Sequence, residues 1–239
     1  MILLAVDTAL DACAAAVARS HDGTVEVFGV TEVIGRGHAE CLMRVVDDAL
    51  ARAGVAHADL DGYAVSIGPG SFTGIRVGVA AVRGFALAAG KPAVSMTSLE
   101  ALAQEGRALA PGRSIVAVLD ARKDEVYAQA FDADGRPLDA AVVAPAARIA
   151  HRAAELGAMV IGSGAPLLAA IDPSLDIVAA TPFPAIDTIA RLALPRLAAA
   201  TPTTPRPSPL YVRAPDAKPQ GAARLARLTP GGLAAGGAP

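Results

Sequence analysis

A glycine-rich segment between a short apolar strand pattern and a long apolar helix pattern constrains the fold of this chain most. Residues 66–78 read SIGPGSFTGIRVG; they end a predicted strand at 62–67 and lead into a predicted helix at about 75–89. Backbone N–H groups at such a junction can cradle an anion, or glycine can let the chain turn where no Cβ fits. The segment has neither the lysine of a P-loop nor the spacing Gly-x-Gly-x-x-Gly, so phosphate binding and a tight structural turn both stay open.

The predicted elements occur twice in the same order: three strands, helix, strand, helix, strand, helix. Strand patterns at 2–7, 12–18 and 24–30 open the first half, and patterns at 115–119, 125–131 and 138–143 open the second. This order predicts an α/β protein with two ribonuclease-H-like lobes, mixed sheets with flanking helices, and it resembles actin-like, Hsp70-like and sugar-kinase-like proteins. We expect an N-terminal lobe at 1–110 and a smaller lobe at 111–200.

The third part of the chain is a Pro/Ala/Gly-rich tail at 201–239. Residues 201–209 read TPTTPRPSP, which cannot form a regular helix or a central strand, and a short apolar clip follows at 210–213. Glycine, alanine and proline dominate after about residue 217, so we expect that stretch to be largely disordered.

Composition and charge exclude several classes of protein. Hydrophobic residues make up 53% of the 239, which supplies a core, and no apolar run reaches the roughly 18 uncharged residues of a membrane span. Asp7 interrupts the first apolar run too early for a signal peptide, so we expect a cytoplasmic protein with no membrane contact. Its two cysteines should be reduced, and a net charge of −2 argues against strong unaided binding of nucleic acid.

Polar residues near the first strand and the first helix are candidates for a site. Asp7 and Thr8 could face a phosphate, with Asp7 as an acid or holding Mg²⁺ through water; the lack of a glycine beside Thr8 favours a local cap instead. The four histidines lack metal-ligand spacing, so we expect no metal, and His38 either caps the first helix or faces a partner.

Two further segments have competing interpretations. Asp120 and Glu125 could work as a general acid and base, but the charges of 120–127 are better explained by a solvated turn with a local ion pair. The helix at 75–89 carries only Arg76 and Arg83 as charged residues, so it is either a central core helix or packs one face on a second protein.

Together these motifs resemble the TsaB (YeaZ) family, a subunit of the machinery that makes threonylcarbamoyladenosine in tRNA. The resemblance runs along residues 4–9 (LAVDTA), 38–40 (HAE), 68–76 (GPGSFTGIR), 98–103 (SLEALA), 120–122 (DAR), 125–127 (EVY) and 211–213 (YVR). The TsaB family is in turn similar to TsaD, the catalytic subunit, in which a His-x-x-x-His pair holds a metal. Ser98 and Leu102 stand in those places here, and neither side chain can replace an imidazole.

The resemblance implies an inactive paralogue that supports a TsaD-like transferase and needs no cofactor, while ATP and metal bind the partner subunits. The product would be N6-threonylcarbamoyladenosine next to the anticodon (position 37, for codons starting with A). It implies a TsaE-like ATPase subunit, tRNA contact only through the complex, and a homodimer when the chain is alone. The partner interface implied on the first two helices comprises His38, Leu42, Val46, Arg76, Val79, Val82 and Arg83. A vestigial phosphate loop would comprise Asp7, Thr8, Gly68, Gly70, Ser71 and Gly74.

Two other classes of function stay open beside this one. A small ATPase or kinase-like nucleotide-binding protein would use Asp7 and residues 68–74, which we call the glycine loop. A peptidase, a label attached to this superfamily, would need a zinc motif or a Ser-His-Asp set, and we find neither in the sequence.

Overall fold

The computed structural model describes residues 1–213, which form two five-stranded sheets with flanking helices. The prediction of disorder after about residue 217 lies outside these residues. In chain order the elements are β1 (Ile2–Asp7), β2 (Ala12–His21), β3 (Thr24–Val33), α1 (His38–Ala53), a 3₁₀ turn (His57–Asp59), β4 (Gly62–Ser66), α2 (Phe72–Ala89), β5 (Ala93–Met96), α3 (Ser98–Leu109), β6 (Ile115–Asp120), β7 (Glu125–Phe131), β8 (Val142–Pro145), α4 (Ala146–Leu156), β9 (Met159–Ile161), α5 (Ala165–Ile171), β10 (Ile177–Ala179) and α6 (Ile186–Ala198).

The two sheets have the same topology. The first has the order β3-β2-β1-β4-β5, and the second has the matching order β8-β7-β6-β9-β10. In each sheet the first three strands are antiparallel, and the remaining two continue parallel to the first strand. The predicted α/β fold with two similar lobes of mixed sheet is therefore confirmed.

The first sheet is covered by helices on both faces. Leu4 and Val6 of β1 point toward the cluster formed with α1 and α2, whereas Leu3 and Ala5 point toward α6. Alternate residues of a strand face opposite sides of a sheet, so a strand buried on both sides reads as a continuous apolar run. This explains why β1 shows no polar alternation.

The lobes exchange one helix each. Leu99 and Leu102 of α3 pack with Ile115, Leu119 and Phe131 in the core of the second sheet. In return, α6 packs on the first sheet, where its residues Ile189, Ala193 and Leu197 join the core. The packing thus differs from the predicted division at residue 110, because α3 and α6 each belong to the core of the other lobe.

Strand β8 begins four residues later than its apolar pattern predicts. Phe131 pairs with Pro137 in an isolated bridge, and the Leu138 N–H donates to the Ala130 carbonyl at 2.9 Å. The Asp139 carboxylate then accepts from the Ala130 N–H at 2.9 Å, which replaces a backbone partner with a side chain. Regular pairing with β7 starts only at Val142.

Side-chain and glycine caps set the helix ends. Helix α2 starts at Phe72, before the predicted residue 75, because the Ser71 hydroxyl accepts from the Gly74 N–H at 3.3 Å. The predicted capping box of α3 is present: Thr97 Oγ1 accepts from the Glu100 N–H at 3.0 Å, and the Glu100 carboxylate accepts from the Thr97 N–H at 2.7 Å.

Candidate functional site

The glycine loop is tied to the turn that follows β1. The Ser71 N–H donates to the Ala9 carbonyl at 2.7 Å, and the Thr8 hydroxyl donates to the Gly74 carbonyl at 2.7 Å. A Cβ on Gly70 would collide with the Ala9 carbonyl, and one on Gly74 would collide with the Thr8 carbonyl. Both glycines are therefore required by the close approach of two backbone segments.

The close contacts of Gly70 and Gly74 argue against the prediction that this loop binds phosphate. The space beside Gly70 and Gly74 is filled by the chain's own Thr8 and Ala9, and the Ser71 N–H already has an acceptor. Gly68 has a φ of 95° and needs glycine for that conformation. Of the two interpretations that the sequence leaves open, the geometry favours the tight structural turn.

Asp7 is enclosed beneath this loop. Its side chain accepts from the Ala9 N–H at 2.9 Å, which matches the predicted local cap, and Ser66 donates a second hydrogen bond to it. Burial raises the pKa of Asp7 to about 6, against the lowering effect of these hydrogen bonds and of His38. The carboxylate thus sits in the core rather than at the mouth of a cleft.

The two positions that the resemblance matches to the metal ligands of TsaD are also buried. Ser98 lies within 3.1 Å of the Ser66 hydroxyl, and Leu102 is fully enclosed in the core of the second lobe. Between Met1 and Arg213, no three His, Cys, Asp or Glu side chains are grouped so that they could hold a metal ion. The residues present at Ser98 and Leu102 do not fit the metal of TsaD.

His38 has a local partner inside the first lobe. Its Nε2 donates to the Leu10 carbonyl at 2.8 Å, and the residue is almost fully buried. It therefore ties the start of α1 to the β1–β2 turn, but it does not cap the helix as expected, because its side chain bonds a carbonyl of that turn rather than an N–H group of α1.

A cleft of about 610 Å³ lies between the lobes. Its walls are the glycine loop, the β6–β7 turn and residues 210–213, which we call the strap. The residues lining it are Leu10, Asp11, Pro69, Gly70, Ser71, Phe72, Ile75, Asp120, Ala121, Arg122, Tyr127, Leu210, Tyr211, Val212 and Arg213.

The two carboxylates considered as an acid–base pair, Asp120 and Glu125, have separate partners. Asp120 accepts from the Arg122 N–H at 2.7 Å and so stabilises the turn itself. Glu125 forms an ion pair with Arg213 of the strap. The geometry favours the ion-pair interpretation over an acid–base pair, but the cation comes from the far end of the chain. In the sequence, Tyr211 and Arg213 belong to a motif of the family, but nothing local to them indicates that they line the cleft.

Most of the predicted interface residues lie inside the first lobe. Leu42, Val46, Val79 and Val82 are buried between the two helices and the sheet, and His38 is buried beside them. Of the predicted set, only Arg76 and Arg83 are exposed. An interface on these helices stays a prediction, but its contact residues must come from their outer faces.

The outer face of α2 carries exposed small and apolar residues beside two exposed arginines, Arg76 and Arg83. Ala80, Gly84 and Leu87 follow at steps of four and three, which places them in one stripe, and Leu87 is 77% exposed. On α1, Met43 is 47% exposed. By length and composition alone α2 could cross a membrane, although Val79 and Val82 pack it on the first sheet. From the sequence, this helix either lies in the core or contacts a partner. In the structure, α2 has one face buried against the first sheet and one face exposed to solvent.

Comparison with known proteins identifies similarity to both TsaD and TsaB proteins. A family model for TsaD, tRNA N6-adenosine threonylcarbamoyltransferase, matches residues 23–163. The Haemophilus influenzae and Escherichia coli proteins named tRNA threonylcarbamoyladenosine biosynthesis protein TsaB are 35% and 36% identical to this chain. These alignments cover 53% and 56% of this chain and 52% and 56% of the relatives, so the match spans about half of their length.

Longer matches extend along nearly the whole chain. An uncharacterized protein of Mycobacterium tuberculosis is 37% identical over 220 residues, which cover 91% of this chain and 94% of that protein. A Pseudomonas aeruginosa structure described as similar to peptidase YEAZ has a TM-score of 0.75 at 32% identity and covers 89% of this chain and 99% of that one. YeaZ from Pseudomonas aeruginosa has a TM-score of 0.68 at 32% identity, with 82% and 92% covered. From its doubled fold, its sequence and these matches, the chain belongs to the TsaB (YeaZ) family.

Proposed function

We propose that this chain is the non-catalytic accessory subunit that a TsaD-like transferase requires to make N6-threonylcarbamoyladenosine in tRNA. The modified base is the adenosine next to the anticodon, position 37, in tRNAs that read codons starting with A. A TsaE-like ATPase joins the assembly, which works in the cytoplasm, and tRNA contacts this chain only through the complex. The names of the TsaB relatives and the TsaD family match support this pathway.

The observation that carries the proposal is the exposed stripe of small and apolar residues on α2, which Arg76 and Arg83 accompany. Leu87 is 77% exposed, and Ala80 and Gly84 beside it leave room for another helix to approach the backbone closely. Exposed apolar patches of this kind mark surfaces that another protein covers. We assign this face, together with Met43 on α1, to the TsaD-like subunit, or to a second copy when the chain is alone.

Loss of the metal-ligand pair supports the non-catalytic part of the proposal. The place of the first TsaD histidine is taken by a buried hydroxyl at Ser98, and the place of the second by the core residue Leu102. Transition metals are held by imidazole, thiolate or carboxylate groups, which these two positions do not offer. The transferase chemistry therefore belongs to the partner.

The test is a reconstituted tRNA-modification assay with the TsaD-like and TsaE-like subunits, threonylcarbamoyl-adenylate and unmodified tRNA, in which the modified nucleoside is quantified by mass spectrometry. It compares reactions without this chain, with the native chain, and with Leu87→Asp. The matched control is Leu109→Asp, since Leu109 is another strongly exposed leucine (63%), at the end of α3 rather than on α2.

We expect product only when the chain is present, at least a tenfold lower rate with Leu87→Asp, and a native rate with Leu109→Asp. Full activity without the chain would refute the accessory role, and equal rates for the two leucine variants would refute the α2 surface. ATP binding by the isolated chain that is abolished by Asp7→Ala would instead favour the nucleotide-binding alternative.

A further inference from the structure

The strap is joined to the first lobe through its backbone. The Leu210 N–H donates to the Ile67 carbonyl at 2.9 Å, directly after β4 ends and before the glycine loop begins. Pro207, three residues earlier, is buried. The strap therefore starts from a fixed point on the first lobe.

Tyr211 joins the strap to the outer face of α2. Its hydroxyl accepts from Arg76 Nε at 2.8 Å, and its ring lies 5.2 Å from the ring of Phe72. The Arg76 guanidinium stands 3.6 Å above the centre of the Phe72 ring, a cation–π contact. Two aromatic rings and one guanidinium thus form a stack at the start of α2.

Arg213 joins the strap to the second lobe. One end of its guanidinium donates to the Ala121 carbonyl at 3.0 Å, and the other pairs with the Glu125 carboxylate. The turn that Arg213 contacts is strained, because Arg122, Lys123 and Asp124 have φ values of 66°, 55° and 58°. Residues other than glycine rarely adopt such values. Arg213 thus contacts the residues on both sides of this turn, Ala121 and Glu125.

We propose that the strap is a latch that couples the closure of the inter-lobe cleft to the position of Arg76 on the α2 face. Four residues link a carbonyl of the first lobe, a surface arginine of α2 and a strained turn of the second lobe. Each contact fixes the same short segment, so the loss of one end frees the other. A molecule that covers α2 and draws Arg76 away from Tyr211 releases the second lobe, and an open cleft in turn frees Arg76. This coupling is a property of the isolated chain and does not rest on the proposed function.

Hydrogen exchange of single amides, followed by NMR on the full chain, tests the latch. The reporters are the Leu210 N–H at the first lobe and the Ala121 N–H, which donates to the Glu125 carbonyl in the turn of the second lobe. The variants are Arg213→Ala, Arg213→Lys and Arg76→Ala. Arg83→Ala is the matched control, because Arg83 is a second exposed arginine on the same helix.

We expect Arg213→Ala and Arg76→Ala each to speed exchange at both reporters by about fivefold, the size expected for a partly exposed ion pair at Arg213 and for an exposed cation–π contact at Arg76. Arg213→Lys keeps the positive charge but cannot bind the Ala121 carbonyl and the Glu125 carboxylate with two separate nitrogens. Its exchange rates should therefore rise less than those of Arg213→Ala. Arg83→Ala should leave both reporters unchanged. The latch is overturned if Arg76→Ala affects Leu210 but not Ala121, because the contacts would then act independently, or if Arg213→Ala leaves Leu210 unchanged.

Discussion

The buried carboxylate of Asp7 makes the stability of this protein depend on pH in a way that can be measured. Its pKa is raised from an ordinary value of 3.8 to about 6, mainly by burial. The folded state therefore binds this proton more tightly than the unfolded chain. The contribution of Asp7 to the free energy of unfolding is most favourable below about pH 4, falls as the pH rises toward 6, and stays low above it.

The size of the effect follows from that shift. A difference of about 2.2 pKa units, from 3.8 to 6, corresponds to about 3 kcal/mol at about 1.4 kcal/mol per unit. Asp7→Asn removes the charge and keeps the shape. Its amide oxygen can still accept from the Ala9 N–H, and the Ser66 hydroxyl can accept from the new NH₂ group. The variant should therefore gain stability over the native chain at neutral pH.

The assay is urea unfolding of the native chain and Asp7→Asn at pH 4 and pH 7.5. We expect the stability difference in favour of Asp7→Asn to grow by about 2 to 3 kcal/mol between the two pH values. Asp11→Asn, a change to an exposed carboxylate four residues away, controls for altered net charge and should differ little from the native chain at either pH. A difference between native chain and Asp7→Asn that stays constant with pH would refute the raised pKa. A variant less stable at pH 7.5 than at pH 4, relative to the native chain, would show that Asp7 is needed as an anion.

Two further substitutions test the local structure. Gly70→Ala should lower the free energy of unfolding by about 3 kcal/mol because its Cβ meets the Ala9 carbonyl, whereas Gly84→Ala, with open space at its Cβ, should raise it by about 0.5–1 kcal/mol; equal effects in urea titrations would contradict this packing. Thr97→Ala removes the hydroxyl that caps α3 and should cost about 1 kcal/mol, seen as a lower urea midpoint with an unchanged m-value, and a midpoint at the native value would show that the cap is dispensable.

Features encoded by neighbouring residues could be predicted from the sequence. The capping box Thr97-Ser98-Leu99-Glu100, the αL glycine Gly54 after α1 and the apolar run of β1 all produce the expected local structure. The doubled element order follows from these local patterns, and it was enough to predict both sheets. The glycine loop was placed correctly, but its role depends on Thr8 and Ala9, which approach it only in the folded chain.

Features that depend on long-range packing could not be predicted in this way. The apolar residues of α2 surround most of its circumference, so periodicity does not tell the buried Val79 from the bare Leu87. Arg213 and Glu125 are 88 residues apart, and nothing local indicates their ion pair. The exchange of α3 and α6 is hidden for the same reason, since each helix follows the strands of one lobe in sequence and buries its apolar stripe in the other.

The exchanged helices have a consequence for how the chain folds during synthesis. One face of the first sheet, with Leu3 and Ala5, is covered by α6, which is made after nearly 200 residues have been joined. That face stays bare while the ribosome completes the second sheet, so the N-terminal half cannot finish folding as an independent unit. A fragment ending at residue 110 would carry α3 without the sheet it packs on and would lack the helix that its own sheet needs. We therefore expect such a fragment to aggregate.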